Sequence, residues 1–175
     1  CVFSLDQYDF ETDTWVCHYY KAKADGTLYR KEWSGDRYFG DDCASVTGLS
    51  EVDGALYYYD ENGYLVKNDL VFVDGNWYSV DGDGVATLQT VREGWNTIEG
   101  NTYYFVNGEP LKYQVRKIDG FYYGFNRRGE LFTNQSFGIE VYDEEGTYIG
   151  YYYYLAKKDG KLYQNEWVEY DDWGD

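Results

Sequence analysis

The segment Gly94-Trp95-Asn96-Thr97-Ile98-Glu99-Gly100-Asn101-Thr102-Tyr103-Tyr104-Phe105-Val106-Asn107-Gly108 sets an aromatic run between two glycines. Tyr and Phe favour half-buried strands, and a glycine after Asn or an acidic residue favours a tight turn. Its core, Gly-x-x-Tyr-Tyr, has three relatives: Gly54-Ala55-Leu56-Tyr57-Tyr58, Gly75-Asn76-Trp77-Tyr78-Ser79 and Gly120-Phe121-Tyr122-Tyr123-Gly124. The leading glycines stand 21, 25 and 20 residues apart, and a second glycine follows each one at Gly63, Gly84, Gly108 and Gly129. Asp53-Gly54, Asp74-Gly75 and Asp119-Gly120 precede the tyrosine run; Asn62-Gly63, Asp83-Gly84 and Asn107-Gly108 follow it. Such pairs supply the positive φ angles of a type I′ turn, so each unit is predicted to be a short β-hairpin.

Two periods are nested. Gly35-Asp36-Arg37-Tyr38-Phe39 opens the array as a looser copy without the downstream glycine. Around the array, Tyr19-Tyr20 and Asp25-Gly26-x-Leu28-Tyr29-x-x-Glu32-Trp33 recur 134 residues later as Tyr153-Tyr154 and Asp159-Gly160-x-Leu162-Tyr163-x-x-Glu166-Trp167. Phe3 pairs with Phe137 and Tyr8 with Tyr142 at the same offset. An isolated two-stranded hairpin is marginal in water, but stacked hairpins cover one another's rings. The expected fold is therefore an all-β solenoid of stacked hairpin repeats of about 20 residues with longer strand-rich insertions. The expected organisation is looser repeats and an insertion over 1–47, regular repeats over 48–134, and a partial second superunit over 135–175 that echoes 1–41. The chain reads as a mature or excised fragment of a longer tandem array.

Composition agrees with this reading. Aromatics are 22% of the residues, with 23 Tyr, 20 Gly, one Pro and no Met, which excludes disorder and argues against a helical bundle. No apolar run approaches the ~18 residues of a spanning helix, so membrane insertion is not expected. Thirty-two acidic against 15 basic residues give a net charge of -17, which repels a nucleic-acid backbone. Cys1, Cys17 and Cys43 allow one disulfide and one free thiol, or three small buried apolar residues.

The aligned residues resemble the cell-wall-binding repeat family, which includes choline-binding and glucan-binding repeats and the receptor-binding repeats of large clostridial toxins. Gly94-Trp95, Gly100-Asn101-Thr102-Tyr103-Tyr104-Phe105 and Gly108 carry the match, with Gly26-x-Leu28, Gly63-x-Leu65, Gly129-x-Leu131 and Gly160-x-Leu162 supplying its last element. The resemblance implies a hairpin solenoid on a secreted or surface protein of Gram-positive bacteria, extracellular and without a cofactor. It also implies aromatic cages shared between successive repeats. Here only Trp95 follows a glycine in that pattern, and only Trp77 directly precedes a tyrosine strand; Leu56, Thr102 and Tyr122 hold the equivalent places. The expected ligand-binding residues are accordingly Trp77, Trp95, Tyr78, Tyr103 and Tyr104, in one hybrid site whose ring faces would meet a sugar or a methylammonium.

Catalysis is not expected. His18 and Cys17 are strand neighbours and point to opposite faces, so they form no nucleophile and base pair. Asp81-Gly82-Asp83-Gly84 resembles a calcium loop, but Arg92 stands where an EF-hand needs Glu, and no metal site is expected. The function expected is a non-catalytic module that recognises a wall polymer or glycan, choline-decorated or not. A structural stalk, or an array that self-associates through open repeat ends, is the alternative, with all rings engaged in packing.

Overall fold

The computed structural model describes residues 2–11, 13–143 and 145–165, so Cys1 and the Glu166-Trp167 echo lie outside the described residues. The described residues contain strands and no helix. The chain forms two compact units, Cys1–Thr90 and Val91–Asp175. The first holds β1 (Val2–Asp9), β2 (Thr14–Lys21), β3 (Glu32–Trp33), β4 (Tyr38–Phe39), β5 (Gly48–Val52), β6 (Ala55–Tyr59), β7 (Asp69–Val73), β8 (Asn76–Val80) and β9 (Ala86–Gln89). The second holds β10 (Gly94–Ile98), β11 (Asn101–Val106), β12 (Glu109–Pro110), β13 (Gln114–Ile118), β14 (Phe121–Phe125), β15 (Gln135–Tyr142) and β16 (Tyr148–Ala156). Every pairing between these strands is antiparallel and joins chain neighbours, with β9 and β12 as third strands on two hairpins.

The glycines make two kinds of turn. At Asp53-Gly54, Asp74-Gly75, Glu99-Gly100, Asn107-Gly108 and Asp119-Gly120 both residues have positive φ, as a type I′ turn requires. At Asn62-Gly63 and Asp83-Gly84 only the glycine is left-handed, which corrects the expectation of type I′ turns there. These turns close on an aspartate instead. Asp60 Oδ1 accepts the N–H groups of Asn62 and Tyr64, and its carbonyl accepts that of Gly63; Asp81 does the same for Asp83, Val85 and Gly84. The geometry is a type I turn followed by a left-handed glycine, favoured by an aspartate at its first position. It also accounts for Asp81-Gly82-Asp83-Gly84, whose first carboxylate is spent on the backbone.

This second turn carries the chain from one hairpin onto the next. Two residues beyond the turn glycine, an N–H reaches back to the preceding hairpin: Leu65 to the Asp36 carbonyl (2.7 Å), Leu131 to Thr102 (2.8 Å) and Leu162 to Tyr122 (2.8 Å). The turn glycines lie against the side chains of earlier turns. A Cβ on Gly84 would sit 2.6 Å from Leu65 Cγ, and one on Gly160 would sit 2.5 Å from Leu131 Cδ2. The residue opposite the first rung of each short hairpin forms the core. Phe39, Tyr59 and Val80 in the first unit, and Phe105 and Phe125 in the second, are all buried.

The 134-residue echo has matching hydrogen bonds. Lys23 N–H to Thr27 O and Tyr29 N–H to Lys21 O recur as Lys157 to Lys161 and Tyr163 to Leu155. Phe3 stacks on Tyr20 at 5.6 Å, and Phe137 on Tyr154 at 5.4 Å. The thiols of Cys17 and Cys43 are free; Cys17 is exposed and Cys43 half-buried, so neither is the sealed apolar residue expected.

Gly84→Ala forces a side chain into a left-handed position and against Leu65. A loss of about 2 to 4 kcal/mol is expected, read by urea unfolding. Tyr59 fills a place taken by phenylalanine in three other hairpins, and its hydroxyl has no hydrogen-bond partner. Burial holds its proton on well above the ordinary phenol range. Removing an unpaired buried hydroxyl relieves its desolvation, so Tyr59→Phe should stabilise the protein by about 1 kcal/mol in the same assay.

Candidate functional site: an aromatic cluster in each unit

In the second unit, Trp95 of β10 and Tyr104 of β11 are direct cross-strand partners with ring centroids 4.9 Å apart, edge to face. The next hairpin adds Tyr123 at 4.9 Å and Phe125 at 6.3 Å from the Trp95 ring. Strand alternation puts residues 123 and 125 on one face of β14, so the indole lies across both. Ile118, Tyr123 and Phe125 form the buried base of this cluster, and Trp95, Tyr104, Leu111 and Leu131 pack against it half-buried.

The cluster opens to solvent as a groove of about 370 Å³ lined by Trp95, Thr102, Tyr123, Leu131, Thr133, Lys158 and Asp159. Three successive hairpins contribute, which the backbone bond from Leu131 to Thr102 makes possible. Asp159 pairs with Lys161 at 2.9 Å, and hydrogen bonds from Lys161 hold its carboxyl below the usual range. The floor is thus aromatic and the rim polar, with two threonine hydroxyls and Lys158. Such a surface stacks flat apolar faces and hydrogen-bonds their edges. A larger depression of about 500 Å³ lies on β1–β2, but all its walls come from residues 7–18 of that one hairpin.

The first unit repeats the cluster around Trp33. Its ring lies 5.4 Å from its cross-strand partner Tyr38, 5.3 Å from Tyr57 and 5.9 Å from Tyr59. The interplanar angles of these three pairs are 64°, 73° and 34°, against 78°, 70° and 36° for the matching pairs of Trp95. The backbone corresponds as well. Leu65 to Asp36 parallels Leu131 to Thr102, and the bridge of Tyr57 with Val85 parallels that of Tyr123 with Lys161. Asp36 therefore stands in the place of Thr102, and Lys67 in that of Thr133. These two are joined, Lys67 Nζ to Asp36 Oδ1 at 2.8 Å.

Of the residues expected from sequence, Trp95 and Tyr104 meet within one cluster, while Tyr103 is buried. Trp77 and Tyr78 lie in the first unit, where Trp77 is 8% exposed with its ring 5.0 Å from Phe72, and Tyr78 is half-buried. The sequence pattern does not mark Trp33, Tyr38, Tyr57 or Tyr123 as site residues. Trp33 follows glutamate rather than glycine, and it precedes Tyr38 by five residues where Trp95 precedes Tyr104 by nine. The available signal was the Trp and the aromatic pair Tyr38-Phe39 on either side of a tighter turn. Among the described residues no group of three or more His, Cys, Asp or Glu could hold a metal ion.

A fold of stacked aromatic hairpins with ring clusters between them defines a class of repeat module, and comparison with known proteins points to the class named above. Residues 46–86 match the family model of the choline-binding repeat. Glucosyltransferase-S of Streptococcus downei is 28% identical over 144 residues, covering 74% of this chain and 10% of that protein. Glucosyltransferase-I of the same organism is 27% identical over 171 residues, covering 92% of this chain and 8% of that protein. The chain thus spans about a tenth or less of the length of these relatives. Among solved structures, choline binding protein F from Streptococcus pneumoniae, in the presence of a peptidoglycan analogue, is 21% identical with a TM-score of 0.36, covering 91% of this chain and 46% of that chain. The resemblance to cell-wall-binding repeats drawn from the sequence is supported by the family match and these relatives.

Proposed function

We propose that this chain is a non-catalytic module of a secreted or surface protein and binds a wall polymer or glycan through its two aromatic clusters. The observation that carries the reading is the repetition of three ring pairs, in distance and in angle, around Trp33 and Trp95. Packing alone needs no such identity: Leu49, Leu70 and Val115 take the same rung in the other short hairpins. The glucosyltransferase relatives and the choline-binding repeat match favour a glycan or wall ligand. Trp95, Tyr104 and Tyr123 form one site, and Trp33, Tyr38 and Tyr57 the other; Trp77, Tyr78 and Tyr103 are given to packing. The charge of -17 fits a neutral or cationic ligand better than an anionic one.

Trp33→Leu, Trp95→Leu and the double variant test the reading in a pull-down on Gram-positive cell walls and on insoluble glucan. Each single change is expected to weaken binding about tenfold or more, and the double change to abolish it, with far-ultraviolet circular dichroism retained. Loss of a stacked indole of this kind costs on the order of 1 to 2 kcal/mol of binding. A fall of ~3 to 5 kcal/mol in stability with retention on the polymer unchanged would leave the stalk standing.

A further inference from the structure

The two clusters share the arrangement of their rings but not their rims. At the Trp95 site the rim presents Thr102, Thr133 and Lys158, while Asp159 is paired with Lys161. At the Trp33 site Asp36 and Lys67 replace the threonines. The place of Lys158 belongs to Gly82, because the turns at Gly84 and Gly160 have the same bonds: Gly84 N–H to Asp81 O and Gly160 N–H to Lys157 O, each glycine against the leucine of the earlier turn. Asp83 takes the place of Asp159. Gly82 therefore puts no cation in the place of Lys158, and Asp83 puts a carboxylate in that of Asp159; Lys21 and Lys23, which reach the residues flanking Trp33, are held by Ser34 Oγ and Glu32, each at 2.5 Å. Both members of the Asp36–Lys67 pair are partly exposed, with side-chain accessibilities of 61% and 39%. Pairs of this kind contribute little, so an arriving cation can take the place of the lysine at small cost.

Resting on the reading of the two clusters as binding sites, we infer that they differ in ligand class: Asp36 makes the Trp33 site selective for an ammonium group, whereas the Trp95 site takes a neutral, hydroxyl-bearing ligand. Ring faces attract a cation at either site. Asp36 brings a carboxylate to the place that Thr102 takes at the other site, where Lys158 adds a cation to the paired Asp159 and Lys161. Lys67 is a tethered competitor for Asp36, and its removal strengthens cation binding. A unit charge about 5 Å away in a water-like medium changes affinity roughly three- to tenfold, and salt screens the effect.

The test uses two molecules of one shape, choline and its uncharged isostere 3,3-dimethylbutan-1-ol, titrated calorimetrically into Trp95→Leu, which keeps the Trp33 site, and Trp33→Leu, which keeps the other. In Trp95→Leu, choline should bind more tightly than the alcohol, by a ratio that shrinks in 0.5 M sodium chloride. Asp36→Asn should cut that ratio roughly three- to tenfold, and Lys67→Thr should raise it. Asp36→Asn in the otherwise unaltered chain gives a control that does not disturb a tryptophan. Equal ratios at both sites, or a ratio indifferent to Asp36→Asn, overturn the inference and leave the binding reading intact. Binding of neither probe in any folded variant, with no retention on wall or glucan, overturns both.

Discussion

The interaction on which the rest of each unit depends is the backbone bond thrown back from each connecting turn to the hairpin before it. A single hairpin satisfies the polar groups between its strands and leaves those on its flanks to water. The bonds from Leu65 to Asp36, Leu131 to Thr102 and Leu162 to Tyr122 use part of one flank and fix how far successive hairpins are offset. The offset is what places the first-rung residue of each hairpin in the interior. Phe39, Phe105 and Phe125 are almost wholly enclosed although none belongs to a sheet of more than three strands. Stability of this kind accumulates from neighbour to neighbour rather than around a central core.

The same offset makes the aromatic clusters. A tryptophan on the second rung meets its own cross-strand tyrosine and, because the next hairpin is displaced by a fixed amount, two rings of that hairpin as well. The distances around Trp33 and Trp95 agree although their hairpins differ in length, since both are counted from the connecting turn and not from the tip. Whether a ring cluster forms in such a fold is therefore a matter of which rung residue is aromatic. Leu49 and Val115 occupy the same rung, and no ring cluster forms on them. What borders the rings is decided at the rim, by residues adjoining the turns: Thr102, Thr133 and Lys158 beside Trp95, and the Asp36–Lys67 pair in the first unit.

The architecture was legible because glycine is legible. Positive φ at Gly54, Gly75, Gly100 and Gly120 has few sequence solutions, and the acidic residue before each glycine completes the type I′ turn. The dipeptide does not by itself distinguish turn types. Asn107-Gly108 is left-handed at both residues, whereas Asn62-Gly63 is so only at the glycine, because Asp60 two positions earlier captures the backbone. Trp95 and Tyr104 were legible from the Gly-Trp and Tyr-Tyr pattern. Trp33 was not, since its hairpin is two rungs shorter and the constant that matters, the distance to the connecting turn, is a property of the stack. Burial of Trp77 was equally hidden: a tryptophan before a tyrosine strand reads the same whether or not Phe72 stands across from it.

Arg37 shows what the slots between hairpins accept. Counted from the connecting turn, it stands where Tyr57 and Tyr123 stand in their hairpins, and it is 7% exposed. Its guanidinium lies 4.0 Å from the ring of Tyr64 and 4.8 Å from that of Tyr19, and no carboxylate pairs with it among the described residues. Its Nε and Nη1 have no hydrogen-bond partner. A buried charge without a counter-ion is costly in an apolar interior, and two tyrosine faces are what compensates it here. Aromatic faces held apart by the repeat offset thus already hold one cation inside this protein. A ligand cation at Trp33 would use the same physics, with Asp36 supplying the opposite charge that Arg37 lacks.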